Sequence, residues 1–256
     1  MSLFIDIHCH LDFDGIIERL DEVIEKAKKA GLKAIVTSGV NPSTNRKILE
    51  ISEQYPNIVM PSFGLYPMDA LSRETNNSNQ FDVDEELLFL KENKDRFVSV
   101  GEIGLDYKNG KDKAMQKVVF EKVLGAAKSI NKTVIIHSRK AELDALDILE
   151  SMEMKKVIMH CFSARKHLIK RAYDFGYYFS IPTNVVRLQQ FQEMVKEIDI
   201  NHLFCETDAP FLSPFKDQKN EPAFVVESYK KVAEIKGITL EEVQNNIWMN
   251  FERLFL

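Results

Sequence analysis

Phe4-Ile-Asp-Ile-His8 is followed by Gly15-Ile-Ile-Glu-Arg-Leu-Asp-Glu-Val-Ile-Glu-Lys-Ala-Lys-Lys-Ala30 and then by Ala34-Ile-Val-Thr-Ser38. The outer segments are short apolar runs of the kind buried strands have. The middle one sets Ile16, Ile17, Leu20, Val23, Ile24 and Ala27 at helical spacing and closes at Gly31. The same alternation runs through the chain, with predicted strands at 4–8, 34–38, 58–63, 97–102, 133–137, 156–160, 177–180 and 202–206. Helical patterns fill 44–54, 83–94, 111–129, 141–152, 165–175 and 185–196. Eight strands with intervening helices predict an α/β chain, a closed (β/α)8 TIM barrel forming a single domain over 1–256. A doubly wound open sheet is the competing arrangement. It would collect its ligands at one switch point, whereas here polar residues end strands along the whole chain.

The 256 residues are 45% apolar and 29% charged, as in an ordinary globular protein with ample core. No apolar stretch approaches the roughly 20 residues of a membrane span, and the start of the chain lacks the pattern of a signal peptide. A cytoplasmic location is the expectation, with no membrane association and no obligate protein partner evident. Cys9, Cys161 and Cys205 are odd in number and lack CxxC spacing, which argues against a disulfide framework and a thiolate zinc site. Buried packing is their expected role. A net charge of -5 gives no general attraction to nucleic acid, so a polyphosphate substrate needs local cations or bound metal. The polar insert at 74–80 either borders the barrel mouth or is solvated surface.

Four of the six histidines fall at or beside the ends of apolar runs: His8 and His10, then His137 and His160. Glu102 and Asp208 end runs of the same kind. Four imidazoles and two carboxylates are a ligand set for two divalent cations, a pair that activates water. Residues two apart on a strand share a face, so His8 and His10 can clamp one ion. Asp6 shares their parity and is expected to orient a ligating imidazole. Glu102 is the natural bridge between two ions, and Asp208 can both ligate and accept a proton from water. Arg139 has the parity and charge to hold a phosphate. Glu206 has either an inward role or a structural hydrogen-bonding one, while His202 and His167 are expected on the surface or in packing. Tyr66, Tyr107, Phe162 and Phe211 are candidates for base stacking or for loop packing.

The segments Asp6-Ile-His-Cys-His-Leu11, Gly64-Leu-Tyr-Pro67, Gly101-Glu-Ile-Gly-Leu-Asp-Tyr107, Ile135-Ile-His-Ser-Arg139, His160-Cys-Phe-Ser163 and Glu206-Thr-Asp-Ala-Pro210 resemble the TatD family of metal-dependent nucleases, within the amidohydrolase superfamily of barrels. Asn220-Glu-Pro222 and the Asn250 region fit the same pattern. The resemblance implies a (β/α)8 barrel in which His8, His10, Glu102 and Asp208 hold one metal and Glu102, His137 and His160 the second. It implies a DNase acting on phosphodiesters, including single-stranded DNA or 3′ ends, with magnesium, manganese or zinc as the ion. Two departures stand out. Tyr66 replaces a histidine common in the family at a substrate-side position, and Ala164 replaces a usual glycine. Hydrolysis of another ester, such as a lactone, phosphotriester or aminoacyl ester, is the close alternative, although no lysine stands in the Glu102 strand to form the carboxylated-lysine bridge of phosphotriesterase-like relatives. A non-catalytic nucleic-acid-binding role is the third reading. The presence of all six expected ligands weighs against it.

Overall fold

The computed structural model describes residues 3–71 and 81–256. Its strands are β1 (Phe4–Cys9), β2 (Leu32–Ser38), β3 (Val59–Leu65), β4 (Ser99–Asp106), β5 (Thr133–Arg139), β6 (Val157–Met159), β7 (Tyr178–Pro182) and β8 (Leu203–Glu206). They follow one another in chain order in one sheet and alternate with helices. That is the expected (β/α)8 TIM barrel class. By internal contacts the chain forms two compact units, one of residues 1–37, 50–60 and 178–256, the other of 38–49 and 61–177. The insert at 74–80 lies outside the described residues. Among those described, no helix is long and apolar enough to cross a membrane.

In the first unit β1 pairs in parallel with β2, and β7 with β8. The chain beyond β8 returns to β1: the Asp208 amide donates to the His8 carbonyl at 2.9 Å, and the His10 amide to the Ala209 carbonyl at 2.8 Å. Ile5, Ile7, Ile35, Phe179, Ile181 and Phe204 are all fully buried, which explains why these strands read as continuous apolar runs. Helix Leu20–Ala30 ends at Gly31, whose φ of 94° makes it a left-handed cap, and a 3-10 turn at Ile17–Arg19 takes the start of the predicted helix. The capping box at Thr239 opens helix Leu240–Phe255, and Asn250 on that helix donates to the Ile200 and Leu203 carbonyls at 2.9 Å each. Helix Val225–Lys236 was not foreseen from the sequence. It is fastened by Tyr229, whose hydroxyl accepts from the Ile5 amide at 3.0 Å and donates to the Ile5 carbonyl at 3.1 Å.

The second unit holds β3 from Pro61 onward and all of β4 to β6, every adjacent pair parallel. Here the structure corrects one boundary that matters. β4 does not end at Glu102 but continues to Asp106, because Ile103 and Leu105 are fully buried and carry the apolar run onward. Gly104 stands opposite His137 in the pairing of β4 with β5. Its φ is 142°, and a Cβ there would sit 1.9 Å from the His137 carbonyl oxygen, so only glycine lets the strands meet at this point. Gly64 is closed in as tightly, since a Cβ would lie 2.3 Å from the Glu102 amide nitrogen. Asn45 fixes Gly64 from its other side. It accepts from the Gly64 amide at 2.9 Å, and its side-chain amide donates to the Gly64 carbonyl at 3.0 Å and to Glu86 at 2.8 Å. The backbone that presents Glu102 and His137 is therefore held by contacts with little slack.

Candidate metal centre

Each unit brings together imidazole and carboxylate side chains of the kind that can hold a metal. In the first, His8 lies in β1 and His10 one residue past it, while Asp208 follows β8 by two residues. The Nε2 atoms of His8 and His10 each stand 3.5 Å from Oδ1 of Asp208. That is long for a hydrogen bond, whose usual span is about 2.7–3.2 Å. It matches the roughly 3.4 Å that separates two ligands held about 2.1 Å from one ion at a tetrahedral angle. Asp208 has a φ of 53°, in the left-handed region that aspartate tolerates better than branched residues. The loop that sets this conformation is pinned by Asn220, whose side-chain amide donates to the Thr183 hydroxyl at 2.8 Å and to the Thr207 and Phe211 carbonyls at 2.7 Å. His10 also stacks on Phe13 with 4.6 Å between ring centroids, and Phe211 packs edge-on to Phe13 while 51% exposed.

The second group is Glu102, His137 and His160, whose ligand atoms all lie within 4.8 Å of one another. Oε1 of Glu102 is 2.6 Å from Nδ1 of His137 and 3.6 Å from Nε2 of His160. Glu102 and His160 are both buried. Burial alone would lower the pKa of His137. The charge of Glu102, aided by Asp106, outweighs it and holds the imidazole above its ordinary range. A field that draws a proton onto His137 draws a divalent cation too. Nε2 of His137 is buried with no hydrogen-bond partner among the described residues, standing 3.7 Å from Asp106. An imidazole set between one carboxylate at 2.6 Å and another at 3.7 Å has the carboxylate support that metal-ligating histidines carry. The donor set of both groups, imidazole and carboxylate, fits a divalent ion.

Three further residues are tied to the backbone or to side chains around these groups. Asp6 does not hold an imidazole: its carboxylate accepts from the Thr207 amide at 2.9 Å and the Thr207 hydroxyl at 2.5 Å, and more weakly from the His8 amide at 3.4 Å. It sets the backbone on both sides of the first group. Glu206 takes the structural role, accepting from the Ser180 hydroxyl at 2.5 Å. Tyr66, the residue expected on the substrate side, donates its hydroxyl to Asp106 at 2.7 Å and its ring meets His137 edge-on at 5.0 Å. Arg139, the last residue of β5, is exposed and makes no side-chain hydrogen bond or ion pair among the described residues. His202 sits in a 3-10 turn before β8 and His167 is exposed on helix Lys166–Asp174, as expected. Cys9 and Cys205 are buried, and none of the three cysteines forms a disulfide among the described residues.

Asp106 is the residue that sequence reasoning passed over. Its side chain accepts from the Tyr66 hydroxyl, from the Lys108 and Asn109 amides at 2.9 Å, and from the Asn109 side chain at 2.6 Å. Burial would raise its pKa, but His137 and these donors prevail and hold the carboxyl well below the usual carboxylate range. The available signal was its parity with Glu102 and its place closing the Gly101–Tyr107 motif. Replacing Tyr66 with phenylalanine is expected to weaken metal binding at the His137 group by about tenfold, the lower end of what loss of a supporting partner costs. Titration of the apo variant with zinc or manganese, followed by calorimetry, checks this. An affinity equal to that of the unaltered protein would remove Tyr66 from any supporting role.

The model for the TatD related DNase family matches residues 5–256. The chain belongs to that family. As a TatD-family protein it is a metal-dependent hydrolase. It is 35% identical to the human protein named deoxyribonuclease TATDN3, across 98% of this chain and 94% of that one. It is 34% identical to the uncharacterized metal-dependent hydrolase YabD of Bacillus subtilis, across 99% of each. Its fold is that of YJJV, a TatD homolog from Escherichia coli, with a TM-score of 0.89 and 23% identity over 99% of this TatD-family chain and 98% of the other.

Proposed function

We propose that this TatD-family chain is a cytoplasmic deoxyribonuclease that removes nucleotides from 3′ ends of DNA, with single-stranded ends as its substrate. The reading rests on one observation above all: two carboxylates, Asp208 and Glu102, each with two imidazole nitrogens within 3.6 Å. Both groups sit on or just past strands whose C-terminal ends carry the chemistry in this fold class. In this proposal residues 1–256 act as one domain. His8, His10, Glu102 and Asp208 hold one divalent ion, and Glu102, His137 and His160 hold a second. The imidazole content favours zinc or manganese over magnesium. Bound there, such ions lower the pKa of a water molecule and stabilise charge on a phosphodiester.

The remaining work falls to the protein. Asp208 accepts the proton of the attacking water, its backbone fixed by its own amide's bond to the His8 carbonyl and by the Asn220 loop. Arg139 offers its guanidinium to the scissile phosphate. Tyr66 borders the substrate with its ring while its hydroxyl stays on Asp106. Phe211 supplies an exposed ring on which a terminal base stacks, an interaction worth about 1–3 kcal/mol per base. Three cysteines outside any disulfide support the cytoplasmic placement.

The deciding experiment incubates chelated protein with 5′-labelled single-stranded DNA and adds back magnesium, manganese or zinc. A ladder shortened one nucleotide at a time from the 3′ end, dependent on metal and blocked by a 3′-terminal phosphorothioate, is the expected result. Products cut internally would reject the exonuclease assignment. No cleavage by protein shown to bind metal would reject DNA as the substrate and turn attention to other esters.

A further inference from the structure

The second unit contains a cavity of about 500 Å³ outside the two ligand groups, within the size range of small-ligand pockets. Its walls are the loops that leave β4, β5 and β6, the strands associated with Glu102, His137 and His160. Lys140 follows Arg139 directly, and Arg165 lies five residues past His160. With Lys113 they place three permanent cations around the cavity, and His167 adds an imidazole. Lys140 and Arg165 are exposed, and neither side chain forms an ion pair among the described residues. Lys113 lies over the Tyr107 ring at 4.7 Å.

Two carboxylates share the lining, and both are occupied. Asp144 accepts from the Tyr107 hydroxyl at 2.6 Å and pairs with Lys117 at 2.7 Å, outside the lining itself. Its pKa is lowered by those two contacts, Lys117 first, so its charge is already compensated. Glu142 turns back to accept from the Lys140 amide at 3.1 Å. What remains facing solvent is a surplus of uncommitted positive charge beside one aromatic ring, in a chain whose overall charge is -5. Three cations around one recess, in a chain of net negative charge, make a local field that favours an anion there. An aromatic wall with cations is also the pairing that single-stranded nucleic acids favour.

Resting on the nuclease reading, we propose that this cavity is a subsite for the sugar–phosphate backbone of the strand upstream of the scissile bond. Lys140 and Arg165 hold successive phosphates, Lys113 a third, and Tyr107 flanks a sugar or base. The subsite gives the enzyme a grip on strands longer than a dinucleotide and supplies the local cations that the net charge withholds.

The test is the gain in kcat/KM on going from a thymidine dinucleotide to a thymidine octanucleotide, measured for the unaltered protein and for the double variant Lys140→Gln with Arg165→Gln. A second double variant, Lys28→Gln with Lys196→Gln, makes the same change in net charge at other exposed positions. The length-dependent gain is expected to fall about tenfold in the first variant only, and the slope of log Kd for the octanucleotide against log salt to become shallower by about 1.4, the share of two phosphate contacts. Because the readout is a ratio within one protein, partial misfolding does not mimic it. An unchanged gain and slope, in a chain that degrades the octanucleotide, would overturn the subsite alone. An equal fall in both variants would also overturn it, showing general electrostatics. Failure of the unaltered chain to bind or degrade either oligonucleotide would overturn the nuclease reading and the subsite with it.

Discussion

Replacing Glu102 by glutamine is expected to reduce turnover of single-stranded DNA by roughly 10³-fold or more, since an ion pair supplies several kcal/mol of transition-state stabilisation and each 1.36 kcal/mol is tenfold. Glutamine keeps the shape of the side chain, so the Glu102 amide, which donates to the Gly39 carbonyl at 3.2 Å, and the close approach of Gly64 need not change. What disappears is a negative charge 2.6 Å from one imidazole and 3.6 Å from another. The amide offers a neutral oxygen in its place and an N–H₂ group that repels a cation. Metal content per chain, measured after dialysis against a fixed zinc activity, is expected to fall below that of the unaltered protein, while far-ultraviolet circular dichroism stays the same. A glutamine variant that retains both its metal and its activity would show that Glu102 is no ligand, and the assignment of the second group would fail with it.

Loss of Glu102 also bears on His137, whose raised pKa depends first on that carboxylate once burial has been overcome. Without it, burial favours the neutral ring and the Asp106 contact alone opposes that. This is why glutamine at 102 is a stronger test than alanine at His137: it removes a charge and leaves the imidazole in place to report on what has changed.

Much of this was legible in the sequence, for identifiable reasons. Strands of a parallel sheet are buried on both faces, so 4–8 and 133–137 read as apolar runs, and amphipathic helices such as Leu20–Ala30 announce themselves by spacing and by Gly31. The candidate metal ligands were visible because histidines and carboxylates interrupt those runs at matching points. Other features depended on contacts between distant segments. The strand end placed at Glu102 was wrong because a polar residue inside a buried run looks like its terminus when only its neighbours are read. Asp106 and Asn109 are neighbours at the end of β4, but Tyr66 joins them from 40 positions away, and no periodicity links it to them. Asp6 has the parity of His8 yet meets Thr207, 201 positions away. Helix Val225–Lys236 carried a readable pattern in Val225, Tyr229, Val232 and Ala233, all buried, and ends at Gly237 with φ of 66°. That one was available to the eye. The basic cavity was not, since Lys113, Lys140 and Arg165 are three ordinary surface cations until the fold places them around one space.

Asp6→Ala is expected to produce the largest loss of stability, about 3 kcal/mol, because it strands two buried donors of Thr207 at roughly 1–3 kcal/mol each. Desolvation works in the other direction. Burial pushes the Asp6 carboxyl well above its ordinary range despite the Thr207 and His8 donors, so removing it also relieves a cost and keeps the net below the sum of the lost bonds. Asp6→Asn retains an acceptor oxygen of similar shape, sheds the charge, and is expected to cost less than half as much. Thermal unfolding followed by circular dichroism would register the alanine change as a fall in midpoint of about 6–12 °C, at roughly 2–4 °C per kcal/mol for a chain of this size. The effect should not stop at stability. Thr207 precedes Asp208, whose amide is bonded to the His8 carbonyl, so freeing Thr207 loosens the seam that brings Asp208 to His8 and His10. Metal affinity at that group is therefore expected to fall by about 10–100-fold in Asp6→Ala, the usual cost of losing a residue that orients a ligand. A variant destabilised as stated but binding metal with undiminished affinity would confine Asp6 to holding β1 against the chain beyond β8. One with an unchanged midpoint would show that the Thr207 contacts contribute nothing to the folded state.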